Sequence, residues 1–235
     1  MGASEARFWV RVAIPVITRY RDLRLVTPPG VFAPRSDAGL LIDAATPYVR
    51  GDVLDVCTGT GVIGLAISFR TRSTIAVDSS RLAVAAARAS ALLNRRTVRV
   101  MHGDLLAPVA GRRFDVILSN PPYLPTETHA GPSSWARAWD GGCDGRAVLD
   151  RLCREAPPAL RPGGDLLIVQ SSIADGDRTS RLLVAAGLEV EVVTTHRGPL
   201  GPLARSQAGH LEAIGALARG DASEEMLVIR GHRPT

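Results

Sequence analysis

A strand that has to stop sets the terms for this chain. The apolar run Phe114-Asp115-Val116-Ile117-Leu118 reads as a buried strand and leads straight into Ser119-Asn120-Pro121-Pro122-Tyr123-Leu124-Pro125. Two successive prolines remove two backbone donors and fix two φ angles, so the strand cannot continue through them. The residue before each proline is pushed towards extended geometry. The product is a stiff hook at the carboxyl end of a strand, the edge at which open α/β sheets bind ligands.

The hook has a chemical reading. The side-chain oxygen of Asn120 and the carbonyl of Pro121 are two acceptors held close together. A planar amide or an aromatic amine carries two N–H donors that match them. Tyr123 can lie against the flat group, its ring face favouring positive charge on the nitrogen. Such a pocket grips a poorly nucleophilic –NH2 and aims it at an electrophile. The alternative is a proline-rich loop that ends a strand and does nothing else, since Asn-Pro is a common turn signal.

The surrounding chain decides the fold class. Strands at Asp52–Val56, Thr74–Val77, Thr97–Met101 and Asp165–Gln170 alternate with helical runs at Ala38–Val49, Val62–Arg70, Arg81–Asn94, Arg146–Leu160 and Thr179–Ala186. Ser36 or Asp37 is placed to cap the first helix. Arg161-Pro162-Gly163-Gly164 reads as a turn. This order predicts a Rossmann-like α/β fold: a mainly parallel sheet with helices on both faces. The late strands Leu188–Thr195 and Glu225–Arg230 lack a helical crossover, which predicts an antiparallel edge. His196 to Ser223 is an insertion between them, its Ala204–Arg219 part compatible with helix. Thr126 to Asp144 is a long loop holding Trp135 and Trp139. His102 and His196 read as ordinary turn residues and Cys153 as packing.

Residues 1–30 form an N-terminal extension before a domain spanning 31–235. Pro15 interrupts the apolar run from Ala6 to Tyr20, whereas Leu23-Arg24-Leu25-Val26 alternates like a strand. Phe8, Trp9, Val10, Val12, Ile14, Val16 and Ile17 are too much apolar material for solvent, so the segment is expected to pack back on the core, the competing reading being a docking face for the substrate protein or a second copy of the chain.

Composition excludes several classes. No apolar run reaches the roughly 18 residues of a membrane span, and no signal-peptide order of zones opens the chain. Cys57, Cys143 and Cys153 form no CxxC pair and no zinc spacing, which points to a cytoplasmic protein with free thiols and no metal. The net charge is +5, and every basic residue is arginine. These arginines are scattered along the sequence, with no dedicated nucleic-acid-binding domain, although a basic surface can still help find an RNA-rich partner.

Three strand ends carry groups that suit an adenosine. After the first sheet strand, Thr58-Gly59-Thr60-Gly61 forms a Gly-rich turn into a helix, where backbone can approach a ligand and N–H groups meet a carboxylate or phosphate. It departs from G-x-G-x-x-G, having Cys57 where a first glycine would stand, and it has no Walker lysine. Asp78 ends the second strand, where a carboxylate can accept both hydroxyls of a ribose. Asp104 ends the third, where one can accept an adenine amine. Singly, each Asp reads as a cap or turn residue; together they describe a nucleoside site beside the hook.

Val53-Leu54-Asp55-Val56-Cys57-Thr58-Gly59-Thr60-Gly61, Asp78, Asp104 and Asn120-Pro121-Pro122-Tyr123 resemble the class I S-adenosylmethionine-dependent methyltransferases. Phe32-Ala33-Pro34-Arg35-Ser36-Asp37 and Ala138-Trp139-Asp140-Gly141-Gly142-Cys143-Asp144-Gly145-Arg146 narrow the resemblance to the HemK/PrmC family, which methylates a glutamine amide in peptide-chain release factors. The resemblance implies S-adenosyl-L-methionine as cofactor, with Pro34, Asp37, Asp55, Thr58, Gly59, Gly61, Asp78, Asp104 and Asn120 around it. Catalysis would fall to Asn120, Pro121, Pro122 and Tyr123. Phe32, Pro34 and Asp37 would wall the methionine end, and Trp135 and Trp139 would close over the target. The short stretch before the core resembles the eukaryotic and archaeal form, which works with a small zinc-binding activator subunit, notably at the sheet edge near Val98–Met101. An amino-methyltransferase of a nucleic-acid base or small metabolite is the competing function, and a cofactor-binding accessory subunit a third.

Overall fold

The computed structural model describes residues 16–126 and 139–235; Phe8, Trp9, Trp135 and their neighbours lie outside the described residues. Nine strands are named in chain order: β1 (Val16–Tyr20), β2 (Leu23–Thr27), β3 (Asp52–Val56), β4 (Ser73–Asp78), β5 (Arg99–His102), β6 (Phe114–Ser119), β7 (Leu160–Ser171), β8 (Glu189–Pro199) and β9 (Ser223–His232). The helices are α1 (Ser36–Ala45), α2 (Val62–Ile67), α3 (Arg81–Leu93), α4 (Leu149–Glu155), α5 (Gly176–Ala185), α6 (Pro202–Ser206) and α7 (Ala208–Ala213). β1 and β2 form a hairpin of their own, and the other seven strands form one sheet in the order β5-β4-β3-β6-β7-β9-β8.

β5, β4, β3, β6 and β7 run parallel, as their alternation with helices requires. The antiparallel edge is a pair: β9 runs against both β7 and the outermost strand β8. Because β4 and β6 flank β3, the winding direction reverses between β3 and β6. That reversal opens a crevice at the carboxyl ends of the strands. Val56 lies opposite Ser119 there, and Ser119 Oγ donates to the Val56 carbonyl at 2.9 Å. The glycine loop and the proline hook are therefore neighbours by strand register.

Strand alternation sends side chains to two cores. Leu54, Val56, Ile117, Leu166 and Ile168 meet α4 and α5 on one face. Val53, Val116, Leu118, Leu167 and Val169 meet α1, α2 and the hairpin on the other.

Several elements depart from the sequence reading. α1 starts and ends earlier than the run Ala38–Val49, and its N-cap is Arg35 without a side-chain cap bond. Asp37 lies inside the first turn, with Oδ1 accepting from the Ala38 N–H at 2.7 Å and Oδ2 turned away. The turn expected at Arg161–Gly164 is a bulge within β7: pairing passes from Phe114–Leu160 to Val116–Asp165. The insertion's helical part is two short helices, α6 and α7. His196 lies within β8, and His102 ends β5 with Nε2 3.0 Å from the Ser79 carbonyl. Cys153 is fully buried packing.

Of the described part of the N-terminal extension, β2 packs on the core, whereas Val16 and Ile17 of β1, expected to pack back, are 58% and 51% exposed. Leu23 and Leu25 enter the same cluster as α1 and α2. α3 satisfies the outer edge of β2: Ser90 Oγ accepts from the Val26 N–H, and the Asn94 amide bonds both the Arg24 N–H and its carbonyl. Arg21 clamps Asp43 of α1 with two bonds of 2.7 Å. α3 then ends in a Schellman turn, with the Arg95 N–H on the Leu92 carbonyl and the Arg96 N–H on that of Ala91. Arg95 stands at the left-handed position at φ 52°, where a side chain costs about 1 kcal/mol that glycine would not.

If the hairpin is part of the core, Leu25→Ala should destabilise the protein by about 2–4 kcal/mol, since Leu25 is fully buried. Urea unfolding measures this; a change under about 1 kcal/mol would show that the hairpin folds as an appendage.

Candidate active site

The site is built from the loops after β3, β4, β5 and β6. The β3 loop turns sharply into α2. Cys57 adopts φ 61°, followed by Gly59 at φ 55° and Gly61 at φ 85°. Cysteine in the left-handed region costs about 1–2 kcal/mol where a glycine would be free. Its half-buried thiol is pushed up in pKa by burial and stays protonated. A Cβ on Gly59 would meet no atom within 4 Å, so the loop backs onto open space there. At Gly61 a Cβ would come within 3.1 Å of Ala87, so this glycine lets the loop seat against α3.

Asp55 and Gly61, expected at the cofactor, do not face the cavity. Asp55 lies fully buried beneath the loop, where Oδ2 accepts from the Thr58 hydroxyl at 2.5 Å and the Gly64 N–H at 2.9 Å. Its Oδ1 has no partner among the described residues. Burial of this half-satisfied carboxyl pushes its pKa up to about 7. Asp55 therefore shapes the loop from below.

Asp78 closes β4. Its Oδ2 accepts from the Gly59 N–H at 2.8 Å and its Oδ1 from the Ser80 N–H at 2.9 Å. Burial raises its pKa, and those two N–H bonds oppose the rise. Both oxygens are held by backbone, which fixes their remaining lone pairs. Asp104 lines the same cavity, but its carboxylate is held by the Arg151 guanidinium at 2.8 and 3.2 Å. An incoming amine would have to share or displace that exposed pair.

The hook follows β6. Asn120 Nδ2 donates to Asp37 Oδ2 at 3.0 Å, and the Tyr123 hydroxyl approaches the same oxygen at 3.4 Å. A carboxylate accepts only, so the Asn120 NH2 must face Asp37 and its Oδ1 is left as an acceptor. Burial and the neighbouring Asp37 charge raise the Tyr123 pKa, so it stays a neutral phenol and no base.

These groups share one cavity of about 800 Å³, within the ordinary range of ligand sites. Pro34, Asp37, Thr58, Gly59, Asp78, Asp104 and Asn120 to Tyr123 line it, as do Phe32 and Trp139. The sequence reading missed its far wall, made by Pro199 to Arg205 of the insertion with Glu224 and Met226. Leu200, Ala204, Leu211 and Leu217 form a small core of their own with Leu124, Ile173 and Trp139. Glu224 ties this wall to the sheet, accepting from the Gly201 N–H at 2.8 Å and the Ser171 hydroxyl at 2.6 Å. No motif marks these residues; the one signal is that an insertion at this sheet edge returns to the strand ends. Among the described residues no group of His, Cys, Asp and Glu could hold a metal ion, and no helix is long and apolar enough to cross a membrane.

Residues 22–137 match the model of the methyltransferase small domain. A putative protein N5-glutamine methyltransferase of Methanocaldococcus jannaschii is 35% identical over 80% of this chain and 96% of its own length. A release factor glutamine methyltransferase of Gloeobacter violaceus is 32% identical over 70% of this chain, which spans 62% of that longer relative. The structure of the E. cuniculi Mtq2–Trm112 complex, described as responsible for methylation of the eRF1 translation termination factor, superposes with a TM-score of 0.60. It covers 87% of this chain and 99% of its own at 21% identity, a likeness of fold.

Asp55 yields a pH prediction. Its folded pKa, about 7, lies above the unfolded value of about 3.9, so the folded state favours the protonated form. Burying it costs nothing extra below about pH 4; the cost grows as pH rises to about 7 and then levels at up to about 4 kcal/mol. Asp55→Asn keeps an acceptor for Thr58 and Gly64 but removes the titration. Relative to wild type it should gain stability between pH 4 and 8; equal pH profiles in denaturant titrations would contradict the raised pKa.

Proposed function

Since the chain belongs to the HemK/PrmC family of class I methyltransferases, we propose that it moves the methyl group of S-adenosyl-L-methionine onto the side-chain amide nitrogen of a glutamine in a protein. A peptide-chain release factor is the foremost acceptor. The carrying observation is the Asp37–Asn120 hydrogen bond, which orients the hook for an –NH2 group.

The cofactor reading rests on fit. Open space beside Gly59 suits close backbone approach, and the backbone-held Asp78 carboxylate suits the two ribose hydroxyls. Thr58, Gly59, Asp104, Pro34 and Asp37 would complete the surround. When bound, the sulfonium supplies an activated methyl group. This chain's own part is positioning and exclusion of water. Asn120 Oδ1 and the Pro121 carbonyl accept the two amide N–H bonds, which turns the nitrogen lone pair towards the methyl. With the sulfonium bound, its methyl would pass to this nitrogen as the S–C bond gave way to a neutral thioether, and one N–H proton would be released to solvent. The Asp37 negative charge, one side chain behind, favours positive charge building on the nitrogen, and Tyr123 covers it with a ring face. Pro199 to Arg205 and Trp139 would flank the acceptor backbone.

A small activator subunit is a second candidate partner, as in the Mtq2–Trm112 complex, and it would meet an edge strand β5 at which the Val100 carbonyl is taken by the Arg88 guanidinium at 2.8 Å. The three cysteines are unpaired, which supports a reducing, cytoplasmic setting.

Two substitutions separate cofactor binding from transfer. By calorimetry, Asp78→Ala should weaken S-adenosyl-L-methionine binding by about 1–3 kcal/mol. Asn120→Ala should leave that affinity unchanged and lower kcat by about 100-fold or more, with tritiated methyl counted in protein, RNA and DNA fractions. Label in the nucleic-acid fractions would redirect the reading to a base amine, and Asn120→Ala turning over within about tenfold of wild type would remove the hook from catalysis.

A further inference from the structure

The arginines that look scattered in sequence are gathered by the fold. From Val56 to Gly103 the chain has seven arginines and a single acidic residue, Asp78. Asp78 sits at the carboxyl end of β4 and belongs to the cavity. α3 runs back from there, so its last turn and the starts of β4 and β5 lie at the opposite end of the sheet. Arg70 precedes β4, Arg95 and Arg96 end α3, and Arg99 opens β5. The hairpin adds to the same end, because Asn94 at the close of α3 holds the Arg24 backbone and Arg24 lies directly opposite Arg19.

Among the described residues none of these six guanidiniums meets a carboxylate, while Arg21, Arg50, Arg72, Arg146, Arg151 and Arg230 each do. Asp22, in the hairpin turn, is the nearest acid along the chain. An aromatic ring organises the centre: the Arg70 and Arg96 guanidiniums each stand 5.3 Å from the centroid of Phe69, which is 61% exposed. Two local penalties concentrate here. Arg19 opposite Arg24 sets like charges face to face on a hairpin, and Arg95 fills a left-handed helix end that favours glycine. A bound polyanion would relieve the first and offset the second.

We infer that this surface docks the phosphate backbone of RNA, on the far side of the molecule from the methyl-transfer cavity. Guanidinium forks match phosphate oxygens two at a time. They need no base to read, so the surface would hold RNA by charge and shape. An anionic bilayer fits less well, since the central ring, Phe69, is held between two guanidiniums. The inference does not depend on which amine is methylated.

The test is fluorescence anisotropy of the full chain with a labelled 20-nucleotide RNA hairpin, repeated from 50 to 300 mM salt. Saturable binding with a log–log salt slope of about −3 to −5 is expected, as about five phosphate contacts would give. R70E/R96E should lose at least tenfold in affinity and flatten the slope by about 2. R219E, an exposed arginine of the insertion, should change neither. R95G guards against misfolding of the charge reversals: it should raise Tm by a few degrees while weakening RNA binding about threefold, with methyl transfer to a free protein acceptor unchanged. Absence of saturable binding at 50 mM salt, an equal loss in R219E, or uptake by phosphatidylserine vesicles without RNA binding would each overturn the proposal.

Discussion

A carboxylate can accept hydrogen bonds and never give one, and the site depends on that asymmetry. Asp37 faces the side chain of Asn120 across 3.0 Å. An asparagine amide has a donor end and an acceptor end of nearly the same shape, and nothing in the hook itself would choose between them. Asp37 chooses. Because it sits inside the first turn of α1, the orientation of a group at the end of β6 is set by a helix more than eighty residues earlier in the chain. The substitution of a helix cap by an inward-facing carboxylate is the local irregularity that makes this arrangement available.

The rest of the geometry follows from topology. A sheet that reverses its winding at β3 and β6 must leave their carboxyl ends uncovered by crossovers. The chain fills that gap with a loop of small residues and a loop of prolines, joined by the Ser119 hydroxyl on the Val56 carbonyl. Strain collects here: Cys57 in the left-handed region above a buried Asp55 whose second oxygen is unpaired among the described residues. Both features cost stability, and both fix the course of the glycine loop beside the cavity.

The strands and helices that build the site were readable because their signals are local. An apolar strand before a glycine loop, a strand stopped by two prolines and an alanine-rich helix after β4 each state their own geometry. The first hairpin strand was not readable: its turn places Arg21 at φ 53° with Asp22 beside it, where the usual signal would be asparagine or glycine. The bulge in β7 carries the sequence of a turn, and only pairing to β6 on one side and β9 on the other keeps it in the strand. Asp55 and Asp78 look alike in sequence, each at or near a strand end. Burial separates them, one under the loop and one beside it. The wall from Pro199 to Arg205 carries no motif at all, since its task is to be apolar and near.

That wall has its own small core, distinct from the two that sandwich the sheet. Its apolar contacts to the rest of the molecule pass through Leu124, Ile173 and Trp139, and Glu224 is its polar tether. Substitutions inside such a unit are felt mainly within it. Over evolutionary time, drift in Leu200 to Leu217 can therefore alter what is admitted to the hook while the nucleoside side stays intact. The same chemistry can pass between acceptors by changes confined to one replaceable panel.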